Sequence, residues 1–123
     1  MTRRSAETLN SEMSDAEISS IKDALLETKL TKIHIEIGTA AGGTLCEILK
    51  YYKNDLKVNL PRFIVIDPLT YFQNQHEKIC LNLQKNGLSK DNIVFERNKS
   101  SVAFEKLSNH AGEIDFVLID GNH

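Results

Sequence analysis

The sequence predicts an α/β fold, a parallel sheet of about four strands covered by helices on both faces. Two observations carry this. Segments of helical period alternate strictly with short strand-like runs: one helix, then strand and helix three times, then a last strand. The strand-like runs are also nearly continuous in apolar residues, which marks strands buried on both faces.

Each element has its own signal. Ser14-Asp15-Ala16-Glu17 has the form of a capping box and opens the first helix, where Ile18, Ile21, Leu25 and Leu26 give one apolar face. Over 31–37 the period changes, and Ile33, Ile35 and Ile37 alternate with His34 and Glu36. Gly38 ends that strand, and Leu45, Ile48, Leu49 and Tyr52 mark the second helix. The run 63–66 is a second strand, stopped by Asp67-Pro68. Phe72, His76, Ile79, Cys80 and Leu83 suit a third helix with Asn86-Gly87 as its C-terminal cap. A strand over 93–95, a short helix over 102–108 and a strand over 114–119 complete the series.

Composition narrows the function classes. The 123 residues suit one small domain, with 1–13 as a loose lead-in and 14–123 as the domain. A net charge of −2, without a basic block, gives no electrostatic reason to expect nucleic acid or an anionic membrane as partner. No apolar run approaches the roughly 20 residues of a bilayer-spanning helix. The polar start of the chain lacks a secretory signal, so a cytoplasmic location is expected. Cys46 and Cys80 fit no metal or redox spacing and are expected as reduced, packed thiols.

Four segments carry candidate chemistry. The first, Glu36-Ile37-Gly38-Thr39-Ala40-Ala41-Gly42-Gly43-Thr44, joins the first strand to the second helix. In an open α/β sheet this turn lies at the carboxyl edge, where ligands bind. Its glycines allow a sharp turn and close approach of a ligand. From Gly38 the spacing is G-x-x-x-G-G, neither the dinucleotide fingerprint nor a P-loop. An ordinary glycine turn without a ligand is the plain alternative. The second segment is Asp67 at the tip of the second strand, placed to accept hydrogen bonds from ribose hydroxyls or simply to cap the turn. The third, Arg97-Asn98-Lys99-Ser100-Ser101, follows the third strand, and its serines suit an N-cap better than a ligand contact. The fourth is Asp120-Gly121-Asn122-His123, whose carboxylate, amide and imidazole suit a divalent metal or acid–base work, or an ordinary loop. Asp115 is read as an edge or capping residue, and His34, His76 and His110 as structural or solvated.

Together these segments are more specific than any one alone. The stretch 33–44 resembles the first motif of class I S-adenosylmethionine-dependent methyltransferases, and Val65-Ile66-Asp67-Pro68 resembles the second. Arg97-Asn98-Lys99-Ser100 stands where that family often has Gly-Asp-Ser. The stretch 114–123 is similar to the strand ending IDG(D/N)H in a subgroup of small-molecule and sugar O-methyltransferases, the macrocin O-methyltransferase and cephalosporin-hydroxylase-like proteins.

The resemblance covers about residues 31–123. It implies a Rossmann-like sheet in the order 3-2-1-4, the N-terminal, cofactor-binding part of such a domain. It implies S-adenosylmethionine as cofactor, held by Glu36, Gly38, Thr39, Ala40 and Gly42 at the methionine part, Asp67 at the ribose and Ser100 at the adenine. Asp120 would face the methyl-transfer centre and, in metal-dependent relatives, help hold a cation such as Mg2+; His123 would be a base. The implied reaction is attack of a small-molecule or sugar hydroxyl on the sulfonium methyl. Lys99 departs from the acidic residue that often reads the adenine amino group, and a lone Asp120 is a poor magnesium site.

The last strand closes with no helix after it, so a truncated domain is expected, with an apolar outer strand that favours either association of copies of the chain or aggregation. Two other readings compete. One is a non-catalytic nucleoside-binding or interaction module that retains the fold. The other, a nicotinamide-dependent dehydrogenase, is disfavoured by the loop spacing.

Overall fold

A computed structural model describes residues 13–27, 32–57, 62–70, 73–91, 93–98, 103, 105 and 112–119. The elements are α1 (Asp15–Leu26), β1 (Ile33–Ile37), α2 (Gly43–Lys50), β2 (Arg62–Ile66), α3 (Gln75–Lys85), β3 (Ile93–Glu96) and β4 (Ile114–Ile119). The strands form one parallel sheet in the order β3-β2-β1-β4, as expected. Of the helix expected over 102–108, Ala103 and Glu105 are described, and both are helical.

Local signals explain where α1 and α3 begin and end. The Ser14 hydroxyl accepts from the Glu17 amide at 3.2 Å, and the Ser14 amide donates to Glu17 Oε1 at 3.1 Å, so the capping box forms. α3 closes at Asn86, and Gly87 follows at φ +68°. That left-handed position suits glycine because it has no Cβ to clash.

The central strands decide which side chains are buried. β1 carries the alternating pattern of a half-exposed strand, yet all five of its residues are buried, His34 and Glu36 included. A strand between two parallel neighbours is covered on both faces whatever its pattern. One face packs Leu25, Leu45, Ile48, Leu49, Phe63 and Val65 against Ile79 and Leu83 of α3. The other gathers Ile33, Ile35, Ile37, Ile64, Ile66 and Ala103. β3 is the outer strand on its side, and only Ile93 of it is buried.

β4 is the outer strand on the other side. Val117 and Ile119 pair in register with Ile35 and Ile37, yet stand 46% and 68% exposed. The apolar edge expected of the last strand is therefore present. The register slips between Ile33 and His34, so Asp115 is an extra residue on β4. Its carboxylate turns back to accept the Lys32 amide at 2.9 Å, the capping role expected of it.

α2 runs into a six-residue π-helical turn, Tyr51–Leu56. The turn buries Tyr52, whose hydroxyl meets His34 Nδ1. Phe63 and Phe116 pack against the same imidazole at ring centroid distances of 5.6 and 5.4 Å. Lys53 Nζ donates to the Gly87 carbonyl at 2.9 Å and ties the turn to the end of α3.

Burial lowers the His34 pKa to about 4, with Asp115 pulling weakly the other way. The unfolded chain takes up this proton near the ordinary value of 6.5, well above the folded value. Stability from the neutral imidazole is therefore complete above pH 6.5 and is lost as pH falls towards 4. Urea titrations should show a loss of about 2 kcal/mol between pH 7.5 and pH 5. In His34→Gln that slope should flatten, and an unchanged slope would assign the titration elsewhere.

Candidate functional site

Register places the strand ends side by side. Ile37 pairs with Ile66 and with Ile119, and Ile66 pairs with Glu96. The ladder continues one residue further, with Gly38 N–H donating to the Ile66 carbonyl and Asp67 N–H to the Glu96 carbonyl, both at 3.0 Å. The segments after β1, β2 and β3 thus leave the sheet at one edge, the carboxyl edge where ligands bind in open α/β sheets.

The loop after β1 is tightly specified. Gly38, Ala40 and Gly42 all have positive φ, at +84°, +48° and +86°. Glycine takes this region freely, but alanine is disfavoured there by about 1 kcal/mol. The loop persists because its polar atoms are held from several sides. Gly42 N–H donates to the Thr39 carbonyl at 2.8 Å. The Thr39 amide donates to Asp67 Oδ2 at 2.9 Å. From α3, Gln75 Nε2 donates to the Ala40 carbonyl and Asn82 Nδ2 to the Ala41 carbonyl, each at 3.0 Å.

Asp67 links the tips of β1 and β2. Oδ2 takes the Thr39 amide, and Oδ1 takes the Leu69 amide at 2.8 Å. The capping reading of Asp67 is met in the Leu69 bond, and the carboxylate also bridges to the glycine loop through the Thr39 amide. An ionised carboxylate has about four acceptor positions, so two such bonds leave capacity for a ligand hydroxyl.

Glu36 is fully buried on β1, within electrostatic reach of Cys46. Burial, helped by that carboxylate, pushes the Cys46 thiol up to about 12, and Lys50 opposes the shift. Cys46 and Cys80 are both free thiols. Cys46 is buried as expected, and Cys80 is half-buried with Sγ 3.8 Å from His76 Nε2. Thr39 is buried, and its Oγ1 has no hydrogen-bond partner among the described residues. A buried hydroxyl without a partner is uncommon and calls for an explanation.

The structure brings together Glu36, Gly38, Thr39, Ala40, Gly42 and Asp67. Ser100, Asp120, His123 and Lys99 lie outside the described residues. Among the described residues no group of three His, Cys, Asp or Glu side chains is placed to hold a metal ion. No described helix is long and apolar enough to cross a membrane.

Reading the sequence missed Gln75 and Asn82. A signal was present, since Gln75, Ile79, Asn82 and Leu83 share one buried face at helical spacing. Two amides on an otherwise apolar stripe must find partners, and here they find loop carbonyls.

The sequence matches no protein-family model, and no curated protein matches it. Among solved structures, the chain is similar to the C-terminal domain of precorrin-6Y C5,15-methyltransferase from Rhodobacter capsulatus. The identity is 17% and the TM-score 0.50, over 80% of this chain. The chain spans 47% of that structure's length. The likeness establishes a Rossmann-like α/β fold, shared with a domain of a methyltransferase.

Gly42 cannot be replaced without strain. A Cβ there would lie 3.3 Å from Ile79 Cγ2, on a backbone at φ +86°. Gly42→Ala should lower stability by about 2 kcal/mol in urea denaturation. Asp67→Ala should lower it by about 3 kcal/mol, because two backbone amides lose a charged acceptor. A wild-type midpoint in either variant would show that the loop is not held in this way.

Proposed function

We propose that this chain is the S-adenosylmethionine-binding part of a class I methyltransferase. The observation that carries the reading is the glycine loop after β1, bound to the tip of β2 through Asp67. It stands at the edge where an open α/β sheet takes its ligand, and it keeps a buried Thr39 hydroxyl without a partner among the described residues. The likeness to a methyltransferase domain supports the same reading.

When bound, the cofactor supplies an electrophilic methyl group on a sulfonium. The chain's own residues bind and orient it. The backbone at Gly38, Thr39, Ala40 and Gly42 lines the methionine part, with Glu36 buried beneath. Thr39 Oγ1 gives its open hydrogen bond to that part. Asp67 accepts from a ribose hydroxyl while keeping its two amides. Ser100 borders the adenine. Such a rigid loop contributes by alignment, because the acceptor oxygen must approach in line with the methyl group and sulfur.

The finer reading is O-methylation of a small-molecule or sugar hydroxyl in the cytoplasm. Asp120 and His123 are its acid–base residues, Asp120 is a ligand for Mg2+ where a metal takes part, and copies of the chain associate through β4. The chemistry rests on the resemblance of 114–123 to the O-methyltransferase subgroup, and the association on the exposed Val117 and Ile119.

Calorimetry with S-adenosylmethionine and S-adenosylhomocysteine tests the proposal. Absence of heat from a folded sample at millimolar ligand would refute it. Thr39→Val removes the hydroxyl and keeps the shape. It should weaken S-adenosylhomocysteine binding about fivefold while leaving thermal stability equal or higher, since the buried hydroxyl has no partner among the described residues and an unsatisfied hydroxyl is costly to bury. Unchanged affinity would remove Thr39 from the ligand contacts.

A further inference from the structure

We propose that Gln75 and Asn82 of α3 are positioning residues, which set the glycine loop for the amino-acid half of the ligand. The inference rests on the S-adenosylmethionine reading above, and it concerns residues whose amides are bonded to the loop carbonyls.

Three observations combine. Both amides are buried, and each donates to a carbonyl of the same loop, Gln75 to Ala40 and Asn82 to Ala41. Between them on the same face, Ile79 packs against Gly42, so near that a Cβ there would be crowded. One face of α3 is therefore committed to the loop over three consecutive contacts. The loop, in turn, holds Ala40 at φ +48°, which alanine does not favour by itself. A strained conformation persists only where its surroundings impose it.

Trans peptide geometry gives the clamp its consequence. In a planar trans peptide, the N–H points opposite to the preceding C=O. With the Ala40 carbonyl drawn towards α3, the Ala41 N–H is directed to the other side of the loop. With the Ala41 carbonyl drawn the same way, the Gly42 N–H is directed back to the Thr39 carbonyl, where it is found. The orientation of two successive loop amides is thus decided by two side chains 35 and 41 positions away. Among the described residues, Asn74 before α3 makes no side-chain cap bond, and Gln75 in the first turn bonds the loop.

The test compares two ligands on the whole chain. S-adenosylhomocysteine carries the amino-acid part, whereas 5′-methylthioadenosine keeps the nucleoside and sulfur and lacks it. Gln75→Glu and Asn82→Asp keep shape but set a carboxylate oxygen against each loop carbonyl. Each should weaken S-adenosylhomocysteine about tenfold and change 5′-methylthioadenosine less than about twofold. A general loss of structure would weaken both ligands alike, and that outcome overturns the proposal. Wild-type affinity for both ligands in both variants overturns it equally. If wild type binds neither ligand, the nucleoside reading fails and the clamp fails with it. If a carboxylate variant does not fold, Gln75→Met, which deletes the donor without adding charge, carries the same comparison.

Discussion

The Asp67 carboxylate is the interaction on which the candidate site depends. It stands at the end of β2 and takes one amide from its own turn and one from the loop after β1. Parallel strands share no turn, so nothing local sets the spacing of their tips. The backbone ladder brings the tips of β1 and β2 together. The buried Asp67 carboxylate then ties the loop after β1 to β2 through the Thr39 amide, because charge-assisted hydrogen bonds are directional and strong. The glycine loop can then hold three residues at positive φ in a span of five, a conformation that no local preference would maintain.

The helix face of the sheet is organised around the same requirement. α3 packs Ile79 and Leu83 into the core and sends two amides upward to the loop. Below, the π-helical turn after α2 brings Tyr52 under β1, where it meets His34 among aromatic rings. These two polar arrangements sit on one face of β1 and β2. The opposite face is purely aliphatic at Ile33, Ile35, Ile37, Ile64 and Ile66. Polar groups inside a core must be paired, and pairing specifies one arrangement where apolar packing tolerates several. β4 shows the opposite condition, with Val117 and Ile119 exposed on the aliphatic side.

Legibility in the sequence followed the range of the interaction. The capping box at Ser14 and Glu17, the glycine after α3 and the period of each strand act over a few residues, and all were readable. The glycine loop and Asp67 were readable as candidates because the strand-to-helix turn is where such sheets take ligands. The alternation in β1 was less informative, since it suggests an exposed face and instead buries His34 and Glu36. The π-helical turn left no periodic trace, because its one irregular turn is bought with a buried Tyr52–His34 contact 18 positions apart.

By itself, the sequence determined the order and kind of the strands and α-helices, though not the π-helical turn after α2, and placed the candidate residues Glu36, Gly38, Thr39, Ala40, Gly42 and Asp67 at or just after strand ends. Short-range backbone preference and apolar periodicity suffice for that. Only the tertiary structure decided that Asp67 bridges two strand tips and that Gln75 and Asn82 hold the loop carbonyls. It alone decided that Asp115 turns back to cap β1 as an extra residue of β4. These bonds join residues 28 to 83 positions apart. A hydrogen bond depends on a distance in space, which the strand register sets and the spacing along the chain does not.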